Sequence, residues 1–350
     1  MLKKSVSLIL VSLLLLIFSS FSLASTNGSK LSVTAEEIRL KSNPRVIRSP
    51  LTAQDIAQIH EAAEQKAQAL RELVSSITAK VETYLATKLD RQAMLSYHNK
   101  IRYLINSKTV PLSNELVRWY IDSYLPQIED KQLQKAAIQY LGYNTNTGYE
   151  VGTLDANTVF NRADAKAYAE QYAENPNTTE YPYYSDGDCA NFVSQVLENG
   201  GMAEVGTAWD DYNSWFCNTT DESELTKVAL TWRAARYFRR HWGNEDGIGR
   251  NRAFAYTEMT VAEALENFDS LYYDLWEGDV IQYGDPYNNN YPYHTQVVHD
   301  WGYNANIGRV DLFMAQHTRD EKNISLYQYL SSFRDPDKRY IYIYEIKDSY

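Results

Sequence analysis

Between Thr52 and Leu141 apolar residues recur every three or four positions. Ile56, Ile59, Ala63, Ala67, Leu70, Leu73, Val74 and Ile77 form one stripe, and Val81, Tyr84, Leu85, Leu89, Met94, Tyr97 and Ile101 form a second. That spacing places each set on one face of a helix. The stretch contains no Gly, and its two prolines, Pro111 and Pro126, set off two shorter helices at 113–125 and 131–141. A helical bundle or hairpin is therefore expected over 52–143, with the stripes as its internal contacts; a coiled coil for a partner is the less common use of such stripes. The Gly-, Asn- and Thr-rich run 144–152 is the expected domain boundary. Beyond it, a helix is expected at 161–173, stopped by Asn175-Pro176-Asn177. Another is expected from Ala190 to Glu198, with Phe192, Val193, Val196 and Leu197 on its buried face and Gly200-Gly201 as its stop. The last third alternates instead: 278–283, 294–299, 309–317 and 339–346 read as four successive strands of an antiparallel meander. The expected fold class is α+β, an N-terminal helical bundle followed by a domain over 153–350 in which a helix packs on an antiparallel sheet.

The start of the chain is set apart. Lys3 and Lys4, an apolar run from Val6 to Phe18, and Ser22-Leu23-Ala24 have the layout of a secretory signal peptide over 1–24. The run is short for a membrane span and no second one follows, so no transmembrane span is expected once the signal is removed. A polar, flexible leader is expected over 25–51. The mature product would then be secreted, extracellular or associated with the cell wall.

Composition narrows the partner. Of the 350 residues, 34 are Lys or Arg and 45 are Asp or Glu, a formal charge of −11 that becomes −11 − 2 = −13 without the two signal lysines. Such a chain is poorly suited to nucleic acid. With 44% hydrophobic residues it can bury a core, and its 29 Tyr and seven Trp suit sugar or peptide surfaces as well as packing. No cofactor is called for.

Cys189 and Cys217 are the two cysteines. In an exported protein they invite a disulfide, and that pairing belongs to the alternative reading of a non-enzymatic wall- or partner-binding protein with an inactive domain. Cys189 stands at the first turn of the helix that follows Asp188, where the positive end of the backbone dipole favours a thiolate and the Asp188 carboxylate is placed to cap. A cysteine nucleophile needs an imidazole to take its proton and a third polar group to hold the ring. A helix-start Cys, a strand-start His at 294 and a polar residue on the next strand supply that order. A zinc site from His294, His299, Asp300 and His317 is opposed by strand parity and by the lack of a ligand-spacing motif. His60, His98 and His241 read as surface or packing residues.

The motifs resemble a family as a set. Phe160-Asn161-Arg162-Ala163 with Tyr168-Ala169, then Asp188-Cys189-Ala190-Asn191-Phe192-Val193-Ser194-Gln195-Val196-Leu197 and Gly200-Gly201, then Gly278 to Gln282, His294 to Val298, and His317-Thr318 resemble the bacterial "putative amidase domain" family. The likeness spans about 158–344. It implies a papain-like thiol hydrolase of the cell-wall peptidase type, a cysteine-dependent amidase or thiol protease. Cys189 would be the nucleophile, His294 the general base and acid, and His317 the ring-orienting residue, with Gln316 the alternative. Gln316 and His317 lie on opposite strand faces, so one of them serves. Where many relatives carry an acidic, Gly-rich insert before the first histidine, this chain has Asn288-Asn289-Asn290-Tyr291-Pro292-Tyr293, which speaks against a metal role there. An oxyanion would take the Cys189 N–H and a donor from the loop before it, Tyr183 or Tyr184, and Trp215 near Cys217 is a candidate cleft wall. Export and the resemblance together imply an amide bond in peptide or peptidoglycan stems as substrate.

Overall fold

The computed structural model describes residues 51–141, 159–243 and 252–346. The expected signal segment, the leader up to residue 50 and the expected boundary at 144–152 lie outside the described residues.

Helix α1 (Ala53–Ala86) opens with a capping box, in which Thr52 and Asp55 satisfy each other's backbone N–H. It carries the first stripe and the start of the second on one uninterrupted helix, because nothing between Ile77 and Val81 breaks it. The two halves of α1 bury against different neighbours. Ile56, Ile59, Ala63 and Ala67 join a core with Ile281, Tyr283, Leu312, Met314 and Ile341, whereas Val81 and Leu85 pack with Ile101, Leu104, Val117, Ile121 and Leu133. The first stripe is thus not a bundle contact. The helical core proper is completed by α2 (Arg91–Met94), α3 (Tyr97–Asn106), α4 (Asn114–Tyr124) and α5 (Lys131–Tyr140), the last two where the prolines place them.

The rest of the chain runs α6 (Arg162–Tyr172), α7 (Cys189–Asn199), α8 (Leu230–Arg233), α9 (Ala235–Trp242), β1 (Ala255–Thr260), α10 (Val261–Glu266), α11 (Phe268–Asp274), β2 (Val280–Asp285), β3 (Tyr291–Asn304), β4 (Arg309–Gln316), β5 (Glu321–Ser325), α12 (Leu326–Ser331) and β6 (Tyr340–Glu345). The fold is α+β, with a six-stranded antiparallel sheet in the order β1-β6-β2-β3-β4-β5. The simple meander is corrected: β2, β3 and β4 follow one another, but β6 returns to lie between β1 and β2. Its sequence has the reason, since Ile341 and Ile343 fill one face of the sheet while Tyr342 and Tyr344 fill the other. A strand apolar on both sides belongs in the interior of a covered sheet.

The two faces have different covers. Val280, Val297, Ala315, Tyr342 and Tyr344 pack with Phe192, Val193 and Val196 of α7, with Phe238 and Trp242 of α9 beside them; Ile281, Tyr283, Met314 and Ile343 pack with α1 and with Leu326, Tyr329 and Leu330 of α12. The quoted motif around Arg162 is a clamp between these parts. Asn161 caps α6 by accepting from the N–H groups of Ala163 and Asp164, and Arg162 donates to Asp279 and to the carbonyls of Glu277 and Ile346. Gly278 enters β2 at φ +91°, and a Cβ there would lie 2.7 Å from the Phe160 ring, so the position needs glycine. On the other side, Arg236 of α9 pairs with the buried Asp122 of α4 and lies over the Tyr291 ring, its guanidinium carbon 3.8 Å from the centroid. The helical part is joined to the sheet by charge as well as by apolar contact.

Candidate active site

Cys189 is the first residue of α7, and its side chain is buried, with 6% of its surface exposed. The first intrahelical bond runs from Phe192 N–H to the Asp188 carbonyl. The N–H groups of Cys189, Ala190 and Asn191 therefore point out of the helix end without a carbonyl from the helix itself. The sulfur faces β3, where the backbone and the hydroxyl of Thr295 both favour its charged form. The sheet geometry makes this possible. The β3–β4 ladder starts at Val297 paired with Ala315, so Thr295 lies beyond the last β4 partner and its N–H is free for another acceptor. The Thr295 hydroxyl in turn accepts from Gln282 Nε2 at 2.9 Å, and Gln282 is held by the Ala235 carbonyl and the Tyr344 hydroxyl.

His294 precedes Thr295, is 1% exposed, and its Nε2 lies 2.7 Å from Gln316 Oε1. The direction of that bond is fixed by what surrounds Gln316. Its Nε2 donates to the carbonyls of Thr318 and Arg319, at 2.9 and 3.1 Å, so its oxygen must face the imidazole. Gln296 Nε2 donates to the same oxygen at 2.6 Å, and Tyr283 donates to Gln296 Oε1 at 2.5 Å. A glutamine oxygen only accepts. The network therefore assigns the proton of the neutral ring to Nε2 and leaves Nδ1 as its lone-pair nitrogen. The turn that provides the two carbonyls is strained, with Thr318 at φ 74° and Arg319 at φ 58°.

His317 does not meet His294. The strand ends at Gln316, and the next residue turns toward α7, where its ring stacks on Phe192 with centroids 4.1 Å apart. Its Nδ1 lies 2.5 Å from Asp188 Oδ2 and its Nε2 lies 2.9 Å from the Tyr172 carbonyl. Both nitrogens face oxygen acceptors. This corrects the placement of His317 next to the first histidine; Gln316, the alternative, holds that position. Asp188 is also different from expectation. It makes no side-chain cap of α7, because its oxygens are taken by His317, by the Tyr184 N–H and by Asn191 Nδ2.

Burial decides the resting charges. Desolvation pushes the Cys189 thiol up from its ordinary value, against the opposing pull of Lys66 and of Thr295. It pushes His294 down to about 4, against the Gln316 bond that favours the charged ring. The lowered thiol expected from the helix tip is thus reversed, and at neutral pH thiol and imidazole rest uncharged.

The remaining candidates divide. Tyr183 is half-buried, donates to Asp320 Oδ2 at 3.0 Å and lies edge-on to His317, and so borders the site. Tyr184 contributes its N–H to Asp188, while its hydroxyl is buried without a partner. Trp215 forms no cleft wall. It is fully buried behind α7, against Trp232 and Trp242, with its N–H on Ser194. Cys217 bonds the Thr219 carbonyl at 3.5 Å, and both cysteines are free, which overturns the Cys189–Cys217 disulfide of the alternative reading. Three residues that the sequence did not single out complete the picture: Thr295 and Gln282 through the sulfur, and Lys66 of α1, whose Nζ donates to Thr318 Oγ1 at 3.1 Å. The pair His294-Thr295 lies inside a quoted motif and was visible in that sense; Lys66 carries no local signal. A separate cavity of about 540 Å³ opens beside α1, lined by His60, Glu61, Glu64, Arg334, Asp335 and Arg339 among others, and neither Cys189 nor His294 lines it. Among the described residues no group of three or more His, Cys, Asp or Glu is arranged to hold a metal, and no helix is long and apolar enough to cross a membrane.

Comparison with known proteins agrees with the motifs. Residues 159–344 match the family described as "Putative amidase domain", and the chain belongs to that family. The family's description points to hydrolysis of an amide bond. Among curated proteins the chain is similar to "Uncharacterized protein YjcM" of Bacillus subtilis (strain 168), at 28% identity over 180 residues. That stretch is 51% of this chain and 35% of the relative, so the chain spans about a third of that protein's length. No solved structure matches.

Proposed function

We propose that the protein is an exported cysteine amidase with a papain-like arrangement, cleaving an amide bond in cell-wall peptide stems. The observation that supports the reading is the Gln316–His294 couple, which leaves Nδ1 as the lone-pair nitrogen of a buried imidazole on β3, the strand whose next residue, Thr295, favours the charged form of Cys189. In the acylation step His294 Nδ1 takes the thiol proton as the sulfur attacks the substrate carbonyl, and the N–H of Cys189 at the open end of α7 receives the developing oxyanion. Gln316 Oε1 stabilises the imidazolium through Nε2–H. The carbon–nitrogen bond breaks, the leaving amine takes the proton from Nδ1, and a thioester remains on Cys189. Water then attacks that thioester with His294 as base, and the acid product leaves with the thiol restored. The neutral resting pair fits this sequence, since charge is created only when substrate accepts it. Export is supported by the charged, apolar and small-residue layout of 1–24, and wall peptide stems carry amide bonds that an exported amidase could reach.

The test is incubation of the wild type and of Cys189→Ser with peptidoglycan fragments, reading new amines by mass spectrometry. Wild-type cleavage with loss of at least about 10²-fold in the variant is expected. Activity that survives in the variant removes Cys189 as nucleophile.

A further inference from the structure

Strand β3 carries an irregularity one residue before His294. Against β2 the register pairs Tyr283 with His294 and then Gly284 with Pro292, so Tyr293 is an extra residue left out of the pairing. Such a bulge bends the strand and re-aims the side chain beside it. Regular alternation would send Tyr293 and His294 to opposite faces. Instead their ring centroids are 6.4 Å apart, and Tyr293 packs in the same core as Tyr283, the residue paired with His294.

One guanidinium holds both sides of this bulge. Arg339, which is 2% exposed and immediately precedes β6, donates from Nη1 to the Gly284 carbonyl at 2.9 Å and to the Tyr293 hydroxyl at 3.2 Å. Tyr293 in turn donates to Glu64 Oε1 of α1 at 2.6 Å. Arg339 is itself fixed by Asp335, at 3.0 Å from Nε and 3.2 Å from Nη2, and by Glu64 Oε2 at 3.3 Å, and its guanidinium carbon lies 4.5 Å from the centroid of the Phe333 ring. A planar fork of donors can serve acceptors on several sides at fixed angles, which an ammonium cannot.

We propose that Arg339, with Glu64, is a positioning residue for the amidase: by clamping Gly284 and Tyr293 it fixes the bulge and with it the aim of the His294 ring at Gln316. The inference rests on the reading of His294 as base. Gln316 holds the imidazole at Nε2, and the clamp holds the backbone that carries the ring. Through Glu64 and Asp335 the clamp draws on α1 and on the turn before β6, neither of which supplies a reacting group in the proposed mechanism.

The test is kcat and KM for amine release from a peptide-stem substrate, per folded molecule, with nitrogen-15 spectra of the imidazole, in Arg339→Lys and Tyr293→Phe. The first keeps the charge and loses the fork; the second keeps the ring and loses both hydroxyl bonds. A misplacement of about 1 Å can cost on the order of 10²-fold. Arg339→Lys is expected to lower kcat by about 10- to 100-fold and Tyr293→Phe by about three- to tenfold, with KM held within about twofold in each. In both variants the His294 signal should pass from the Nε2–H tautomer to a mixture. Wild-type kcat in both variants, a loss confined to KM, or an unchanged His294 spectrum overturns the proposal. If Arg339→Lys does not fold, Tyr293→Phe decides by the same readouts. The spectra need no turnover, so they separate this inference from the parent reading. Full activity in His294→Ala defeats the base, whereas an inactive His294→Ala together with unchanged spectra in the clamp variants defeats only the positioning role.

Discussion

Replacing Gln316 separates two residues that are neighbours in sequence and unlike in placement. Gln316→Ala removes the acceptor facing His294 Nε2, in a ring that is 1% exposed. During acylation that bond becomes a hydrogen bond to an imidazolium, worth about 1.5–3 kcal/mol. At 1.36 kcal/mol per decade, kcat is expected to fall about 10- to 150-fold. KM should hold, because the bond strengthens after substrate binds. His317→Asn, by contrast, touches neither ring nitrogen of His294. It keeps a donor for Asp188 and loses the stacking on Phe192, so the cost is expected in stability, with kcat per folded molecule within about fivefold, less than 1 kcal/mol. The assay is steady-state release of amine from a peptide-stem substrate, with denaturant unfolding of each variant to correct for folded fraction. Nitrogen-15 spectra of the imidazole provide a second readout. The wild type should show the Nε2–H tautomer, and Gln316→Ala a mixture. A silent Gln316→Ala alongside a His317→Asn that loses a hundredfold would refute the reasoning and return the orienting role to His317.

Two further predictions concern stability. His60 is held neutral by burial between Tyr329 and Phe333 and then by Arg339, its value pushed down to about 4, with Nε2 buried and unpaired. Its folded value lies below its unfolded one, so the associated stability is present above about pH 6.5 and is lost as pH falls toward 4. His60→Phe should remove about 1–2 kcal/mol of the loss between neutral pH and pH 5, allowing for partial exposure, as seen in urea midpoints at the two pH values; an equal acid loss in both proteins contradicts it. Arg236→Met leaves the buried Asp122 carboxylate with the longer contact to Arg240, 3.4 Å, and should cost about 3 kcal/mol of unfolding free energy. A loss below about 1 kcal/mol would mean that the pair does little to hold α4 to α9.

What the sequence disclosed depended on how local the signal was. The 3.6-residue period, the prolines and the caps are local, and the helices at 114–124, 131–140, 162–172 and 189–199 fall where they indicate. Alternation found β2, β3, β4 and β6, but strand order is a matter of long-range pairing. Nothing local in Tyr340–Glu345 says which strands flank it, beyond its being apolar on both faces. The same limit explains α1. Its stripe looked like bundle core because periodicity reports a buried face and not what buries it. The choice between Gln316 and His317 was framed rightly by parity, yet parity could not choose. It took the two carbonyls of a strained turn to aim Gln316, and an ionic partner at the head of α7 to draw His317 away. Trp215 misled for a related reason: proximity to Cys217 in the chain said nothing of its depth behind α7.

The buried state of the pair bears on why the site needs so many fixed partners. A thiol and an imidazole that both resist ionisation form a poor nucleophile unless the transition state finds compensation already in place. In the proposed mechanism each developing charge has a partner already held in place. Thr295 favours the charged sulfur, with its hydroxyl held by Gln282; a proposed imidazolium would have Gln316, held by two carbonyls, and a proposed oxyanion the open N–H of α7. Each partner lies on a different element, β3, β2, β4 and the head of α7. The β3–β4 ladder starts at Val297 paired with Ala315, which leaves His294 and Thr295 beyond the last paired residue of β4.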